Sequence, residues 1–264
     1  MPTAGRYAEF VWAYFKANLQ MAMEYRVSFL TQVFGMFIND GIWLVFWWLY
    51  FTKFPVVEGW ERRDILTLWA VLTLAFGLSV GICGNVLRLS NLIATGQMDY
   101  YLALPKNVLC HALVSRMEVT GLGDALFGLL TFAAFTHPTP VGAIVYLVSA
   151  VLSAVIMTSF WVIAHSLAFV IGNAEALATQ VSMSMIHFST YPTGIFHGAV
   201  RVILFTLIPA GFISYIPVSL IRQFNWGYFA ALLGAAAGLG FLAVRAFNRG
   251  LRRYESGNLM AMRS

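Results

Sequence analysis

The stretch YPTGIFHGAVRVILFTLIPAGFISYIPVSLI, Tyr191 to Ile221, decides how many times this chain crosses a bilayer. It is apolar enough to enter a membrane, yet Pro192 stands near its start and Pro209 and Pro217 interrupt it. Proline removes a backbone donor and clashes with the preceding turn, so a single unbroken span is not expected here. A re-entrant segment over 198–221, packed against protein on the outer side, is the expected form. Charge placement leads to the same count. Arg6, Lys16 and Arg26 precede the first apolar run, and Arg88, Lys106 and Arg116 surround the loop after the second. Arg245, Arg249, Arg252, Arg253 and Arg263 close the sequence. These are most of its 16 basic residues, and the cytoplasmic bias of Lys and Arg puts them all on one side. Both termini are then cytoplasmic and the number of spans is even, six rather than seven.

The rest of the chain has the same character. Of 264 residues, 60% are hydrophobic and 10% charged, with a mean hydropathy of +0.77. Soluble domains are about a quarter charged and less than half apolar, so a water-soluble globule is excluded. A net charge of +5 would suit nucleic acid in a soluble protein; here it reads as topology, and no nucleic-acid partner is expected. About 20 apolar residues are needed to cross a hydrocarbon core of roughly 30 Å. That assigns spans to 27–51, 65–87, 113–135, 141–171, 176–191 and 226–247, the fifth shorter and more polar than the others. The fold class is therefore all-α integral membrane, one domain over 1–264. Over 1–26, Arg6, Glu9, Lys16, Gln20 and Glu24 share one helical stripe, with Tyr7, Phe10, Val11, Tyr14, Met21 and Tyr25 opposite. This is the pattern of a helix lying in the headgroup plane, not of a cleavable signal. Segment 52–64 falls outside, its Lys53, Arg62 and Arg63 offset by Glu58, Glu61 and Asp64.

Several polar groups are candidates for chemistry. The loop 88–112 offers a short helix at Ser90–Thr95, a turn at Gly96 and a stop at Pro105. Leu92, Ile93, Tyr100 and Tyr101 give it an apolar surface, and Asp99 and Lys106 give it charges. That mixture suits docking on a moving cytoplasmic partner, or aromatics resting among headgroups. Asp40 and Asp124 fall near the middle of their spans, where a carboxylate costs about 2.5–3.5 kcal/mol, with no Lys or Arg at the same depth. They read either as a site for an amine-bearing amphiphile or a proton, or as carboxyls tied to Asn39, Ser79 or Thr158. Gln180, Ser184, His187 and Tyr191 recur at helical spacing, a stripe that suits a translocation cavity or helix–helix hydrogen bonding. His187 and His165 stand alone and two cysteines, Cys83 and Cys110, are too few for a cluster, so no metal site is expected. The aromatics of Trp43–Tyr50 read as interface anchors, and Gly77-x-x-x-Gly81 and Gly234-x-x-x-Gly238 as close helix contacts. No Gly-x-x-x-x-Gly-Lys-Ser/Thr occurs; the nearest cluster, GLGDALFG at Gly121–Gly128, lies inside a span.

Four motifs appear in order along the chain: EYRVSFL at Glu24–Leu30, EGW at Glu58–Trp60, LIATGQMDYYLALP at Leu92–Pro105, and the Tyr191–Ile221 stretch. Through them the chain resembles the small six-helix permease subunits of type-2 ATP-binding-cassette exporters, with Met98 where a leucine is usual. The resemblance implies an amphipathic elbow helix, six spans and a re-entrant helical pair before the last, in a bacterial cytoplasmic (inner) membrane. It implies a dimer, with a copy or a related chain as second permease, among membrane lipids. Each permease would contact a separate cytoplasmic ATPase that carries ATP and magnesium, leaving no cofactor and no catalytic site on this chain. On this reading Leu92, Ile93, Gly96, Asp99, Tyr100 and Pro105 meet the ATPase. The first, second and fifth helices line the subunit interface and pathway, with Asp40, Gln180, Ser184, His187 and Tyr191 on the route. Pro209 and Pro217 break the outer gate into two short helices. The expected activity is export of a hydrophobic or amphipathic compound: drug-like, lipid-linked or a small peptide. The alternative is a proton-coupled carrier using Asp40 and Asp124. A lipid-processing enzyme fits least, since Glu118 and Glu175 are isolated.

Overall fold

The computed structural model describes residues 4–136 and 138–254; Arg263 of the charge pattern lies outside the described residues. The leader forms α1 (Ala4–Glu24), turns at Tyr25 and continues as α2 (Arg26–Lys53). A two-stranded ribbon follows, β1 (Val56–Val57) with β2 (Trp60–Glu61), turned by Glu58 and Gly59 at φ 49° and 76°. Next comes α3 (Arg62–Cys83), whose first turn is closed by the Asp64 carboxylate accepting from the Glu61 N–H at 2.8 Å. It runs through a 3-10 turn, Gly84–Arg88, into α4 (Leu89–Ala94), then α5 (Met98–Leu102) and α6 (Val108–Val114). Then come α7 (Thr120–Phe135), α8 (Pro140–His165), α9 (Ala168–Ile171) and α10 (Glu175–Ser189). The chain ends with α11 (Gly198–Thr206), α12 (Ala210–Ile213), α13 (Tyr215–Arg222) and α14 (Trp226–Leu251). The starts of α8 and α14 follow local rules: Thr139 accepts from the Gly142 N–H with Pro140 at the first helical position, and Asn225 accepts from two N–H groups.

Four helical stretches are long and apolar enough to cross a membrane: Arg26–Lys53, Arg62–Ala94, Pro140–Ile171 and Trp226–Leu251. The pair Gly198–Thr206 and Ala210–Arg222, bent by 71°, makes five if it counts as one span. Of the six expected spans, two are short: α7 has 16 residues and α10 has 15. The run expected from Leu113 starts as a helix only at Thr120. Leu113 belongs to α6, whose N-terminus is capped by Asn107. The break at 115–119 is pinned by its neighbours. Asn85 donates to the Ala112 carbonyl (2.9 Å) and to Ser115 Oγ (2.6 Å), and the Glu118 N–H donates to the Val80 carbonyl (3.0 Å). The Tyr191–Ile221 stretch does break around Pro209. A second, milder break at Ser214 separates α12 from α13. Pro217 sits in the first turn of α13 and has no N–H to return to the Ile213 carbonyl.

The centre of the molecule is α3, buried along most of its length from Asp64 to Gly81. A helix apolar on every side is the one that others surround. Against it lies α7, backbone on backbone. A Cβ at Gly77 would fall 2.4 Å from the Gly121 carbonyl oxygen, and one at Gly128 would fall 2.7 Å from the Ala70 oxygen. On another side, α8 adds the Phe132–Tyr146 stack (3.8 Å), the Tyr146 hydroxyl on the Ala70 carbonyl and the Ser79 hydroxyl on the Ala154 carbonyl. Gly81 shares the α7 contact through its backbone, since a Cβ at Gly121 would fall 2.9 Å from the Gly81 nitrogen, although a Cβ at Gly81 itself would point into open space; at Gly234 and Gly238 a Cβ would meet nothing within 4 Å among the described residues. The outer face of α2 carries Leu30, Phe34, Ile38, Ile42, Val45 and Leu49, all exposed at three- or four-residue steps.

The elbow α1 rests on α6. The Tyr14 hydroxyl meets His111 Nε2 at 2.5 Å, Asn18 donates to the Val114 carbonyl, and Lys106 lies over the rings of Tyr7 and Phe10. Burial holds the His111 imidazole below its usual 6.5. Its neutral form is therefore favoured in the docked state, and docking is at full strength above pH 6.5. As pH falls through that value the released imidazole takes up the proton first, and the dock weakens. Hydrogen exchange of 4–24 is expected to rise several-fold between about pH 7.5 and 5.5, and His111→Phe should flatten that dependence.

Candidate functional site

A cavity of about 290 Å³ opens between α2, α3, α7 and α10. The local packing explains why two carboxyls meet in it. Gly123 of α7 lies against Val33 and Met36 of α2, so close that a Cβ there would fall 2.8 Å from the Val33 carbonyl oxygen. That contact brings Asp124, one residue on, within hydrogen-bonding reach of Asp40. Both are 3% exposed. The Asn39 amide donates to Asp40 at 3.4 Å, while one oxygen of each carboxyl has no partner among the described residues. Of the expected tethers, only Asn39 serves; the Ser79 hydroxyl goes instead to the Ala75 and Ala154 carbonyls. No lysine or arginine lines the cavity.

The aromatic walls come from α2 and α3. Trp43 and Trp69 stack at 5.8 Å with their planes 18° apart, and Trp47 meets Tyr191 edge-on at 5.9 Å. Trp43, expected as a lipid or interface anchor, lines the cavity while remaining 41% exposed. From α10, His187 and Tyr191 line the space but Gln180 and Ser184 do not. The Ser184 hydroxyl bonds back to the Gln180 carbonyl (2.8 Å), and Gln180 is exposed. Helical spacing placed the four on one stripe, but the cavity takes only the end of that stripe. Asp124, paired with Asp40 in the sequence reading, joins the site, and Trp69 and Thr73 join it without having been singled out. Asp124's mid-span depth was the one available signal, and the others are ordinary apolar-run residues.

The loop that follows α3 is a compact cap. Gly96 adopts φ +77°, the conformation its turn needs. Leu92 and Ile93, expected as an apolar docking surface, are 5% and 2% exposed and belong to the protein core. Helical α4 turns that side inward. What the loop shows outward is Tyr100, at 63% exposure, with Leu102, Ala103 and Pro105. Asp99 lies beside the phenol of Tyr254, which burial and then this carboxylate push up to about 12. The cap is tied to the membrane helices twice. Ser90 Oγ meets His165 Nδ1 at 2.9 Å, and Asn91 donates to Glu175 at 3.2 Å, the first residue of α10.

At the opposite end, the Arg222 guanidinium pairs with Asp64 and donates to the Gly59 carbonyl at 3.3 Å. Arg63 donates to the Thr136 carbonyl at 2.7 Å, and Arg62 lies over Trp48. The Arg222 contacts join the β1–β2 ribbon and the start of α3 to the end of α13. Among the described residues no group of three His, Cys, Asp or Glu is placed to hold a metal ion. Compared with known protein families, residues 37–257 match the one described as ABC-2 family transporter protein. No curated protein and no solved structure matches the chain.

Proposed function

The chain belongs to the ABC-2 transporter family, whose membrane subunits work with an ATP-binding partner, and from that premise we propose that it is the permease subunit of an ATP-driven exporter of hydrophobic or amphipathic compounds. In this reading six segments cross a bacterial inner membrane, with α7 and α10 as short crossings and 198–222 as the outer re-entrant segment. Both termini face the cytoplasm, and a second permease, identical or related, completes the pathway. The observation that carries the proposal is the course of α10. It begins at Glu175, hydrogen-bonded to the cytoplasmic cap, and rises to His187 at the polar cavity. At 1.5 Å per residue those two points are about 18 Å apart, so one rigid helix links the ATPase-facing loop to the cargo route. When the partner ATPases close on ATP, the caps are driven together and α10 carries the movement to the cavity.

The test is purification of the tagged chain from its own membrane in mild detergent, followed by reconstitution. An ATPase bearing a phosphate-binding loop is expected as a stoichiometric companion, and ATP inside-facing vesicles should drive transport. A chain that transports on a proton gradient with no ATPase would overturn the exporter and favour the proton-coupled carrier, for which the adjacency of Asp40 and Asp124 is the supporting observation. The rigid link has its own prediction. Glu175→Ala, which removes the acceptor for the Asn91 amide, is expected to leave ATPase association unchanged and to cut transport per ATP hydrolysed by several-fold, read from paired flux and phosphate-release assays.

A further inference from the structure

We propose that the cavity between α2, α3, α7 and α10 is a binding site for an organic ammonium ion, its charge against Asp40 and Asp124 and its substituents against Trp43 and Trp69. As the cargo site of an exporter this rests on the permease reading; as a binding site it stands on the geometry alone. Two buried carboxyls within reach of each other, each keeping one oxygen without a hydrogen-bond partner among the described residues, form an acceptor set with no cationic side chain to neutralise it. No ion pair among the described residues involves either aspartate; the cavity's single basic-type side chain is His187. Buried charge without a partner is costly enough in a membrane that such a group marks a ligand or an ion route.

The walls select the kind of cation. Metal ions of the calcium or magnesium type take six or more oxygen ligands, and the walls here are largely Met36, Trp43, Trp69, Leu72, Phe76 and Ile186. Aromatic faces beside a carboxylate are instead the surroundings that bind alkylated ammonium groups, through the negative ring face and the apolar contact together. The volume sets the size. About 290 Å³ is just below the usual range for a drug-sized ligand, enough for an ammonium group carrying one ring or a few short alkyl arms. The longer part of an amphiphile would lie outside, along the apolar outer face of α2. Anionic cargo is excluded by the same carboxyls, which narrows the exporter's substrates to cationic amphiphiles.

The experiment uses the full chain in nanodiscs of zwitterionic lipid, with radiolabelled phenyltrimethylammonium as the probe and tert-butylbenzene as its neutral isostere. Saturable binding of the cation is expected, with little displacement by the isostere. Asp40→Asn and Asp124→Asn should each weaken cation binding at least tenfold, and Trp43→Leu by several-fold. Asp40→Glu should retain most of it. Variants that merely misfold are recognised by losing monodisperse elution and the wild-type melting temperature together, and Asp40→Glu then carries the comparison. Equal binding of cation and isostere, an undiminished cation affinity in both asparagine variants, or displacement of the probe by stoichiometric magnesium would each overturn the proposal. Because no ATPase is present, a positive result with no ATPase companion in the native membrane would leave the site standing and remove only the exporter reading.

Discussion

A Gly77→Ala chain is expected to melt about 10 °C below the wild type, while Gly81→Ala, one helical turn on, melts at or above it. In an isolated helix both changes are favourable, by up to about 1 kcal/mol each. The difference lies in what the new methyl group meets. At position 77 it would fall 2.4 Å from the Gly121 carbonyl oxygen and 2.5 Å from the Ala125 nitrogen, both main-chain atoms of α7 that no rotamer change can move. Relief requires α7 to withdraw from α3, which also pulls Asp124 away from Asp40 and opens the cavity. Overpacking of this kind costs about 3 kcal/mol or more. At position 81 there is open space. Fluorescence-detected melting of the two variants in one detergent decides the matter, and equal melting temperatures would show that the α3–α7 contact is not the tight one described.

The second large effect concerns the cap that follows α3, the proposed ATPase-docking surface. Tyr100→Asp with Leu102→Asp is expected to abolish co-purification of the ATPase while leaving the melting temperature within about 2 °C of wild type. Both side chains point outward, so their replacement removes no core contact. Anchors of this kind contribute about 2 kcal/mol each at an interface, and losing two weakens association roughly a thousandfold. Leu92→Ala should behave in the opposite way. Leu92 is packed in the core, so its truncation lowers stability by about 2–5 kcal/mol and affects the partner only through loss of fold. Pull-down yield and melting temperature, measured on the same preparations, separate the two. An ATPase retained by the double variant would move the docking surface elsewhere.

The contrast between Leu92 and Tyr100 shows which information the sequence carries. Long apolar runs bounded by charge are legible from composition alone, and the helices Arg26–Lys53 and Trp226–Leu251 coincide with such runs. The bend near Pro209 is legible because proline acts locally. Pro217 looked equivalent in the sequence, but the 71° bend lies at Pro209, and near Pro217 there is only the milder interruption at Ser214. The start of α7 was hidden because Asn85, some 30 residues earlier, satisfies the chain where α6 ends. For the site, intramembrane aspartates announce themselves by their depth, but their meeting depends on Gly123 lying on Val33, a contact between helices far apart in sequence. The stripe from Gln180 to Tyr191 follows helical spacing faithfully. Which part of it faces the cavity is set by how α10 leans, and spacing says nothing about lean.

Two of the four walls of the cavity, α7 and α10, are only about 24 and 22 Å long at 1.5 Å per residue, against roughly 30 Å of hydrocarbon. Lipid must thin or water must enter around them, at a fraction of a kcal/mol per Å. If α7 and α10 cross as proposed, the insulating layer is thinnest beside the two aspartates, and the resting voltage drops across a shorter path there than elsewhere in the membrane. A cation expelled from this point against an inside-negative potential does electrical work of up to about 2.3 kcal/mol per 100 mV. On the proposed exporter reading, its export is expected to be electrogenic, with a rate that rises when the membrane is depolarised.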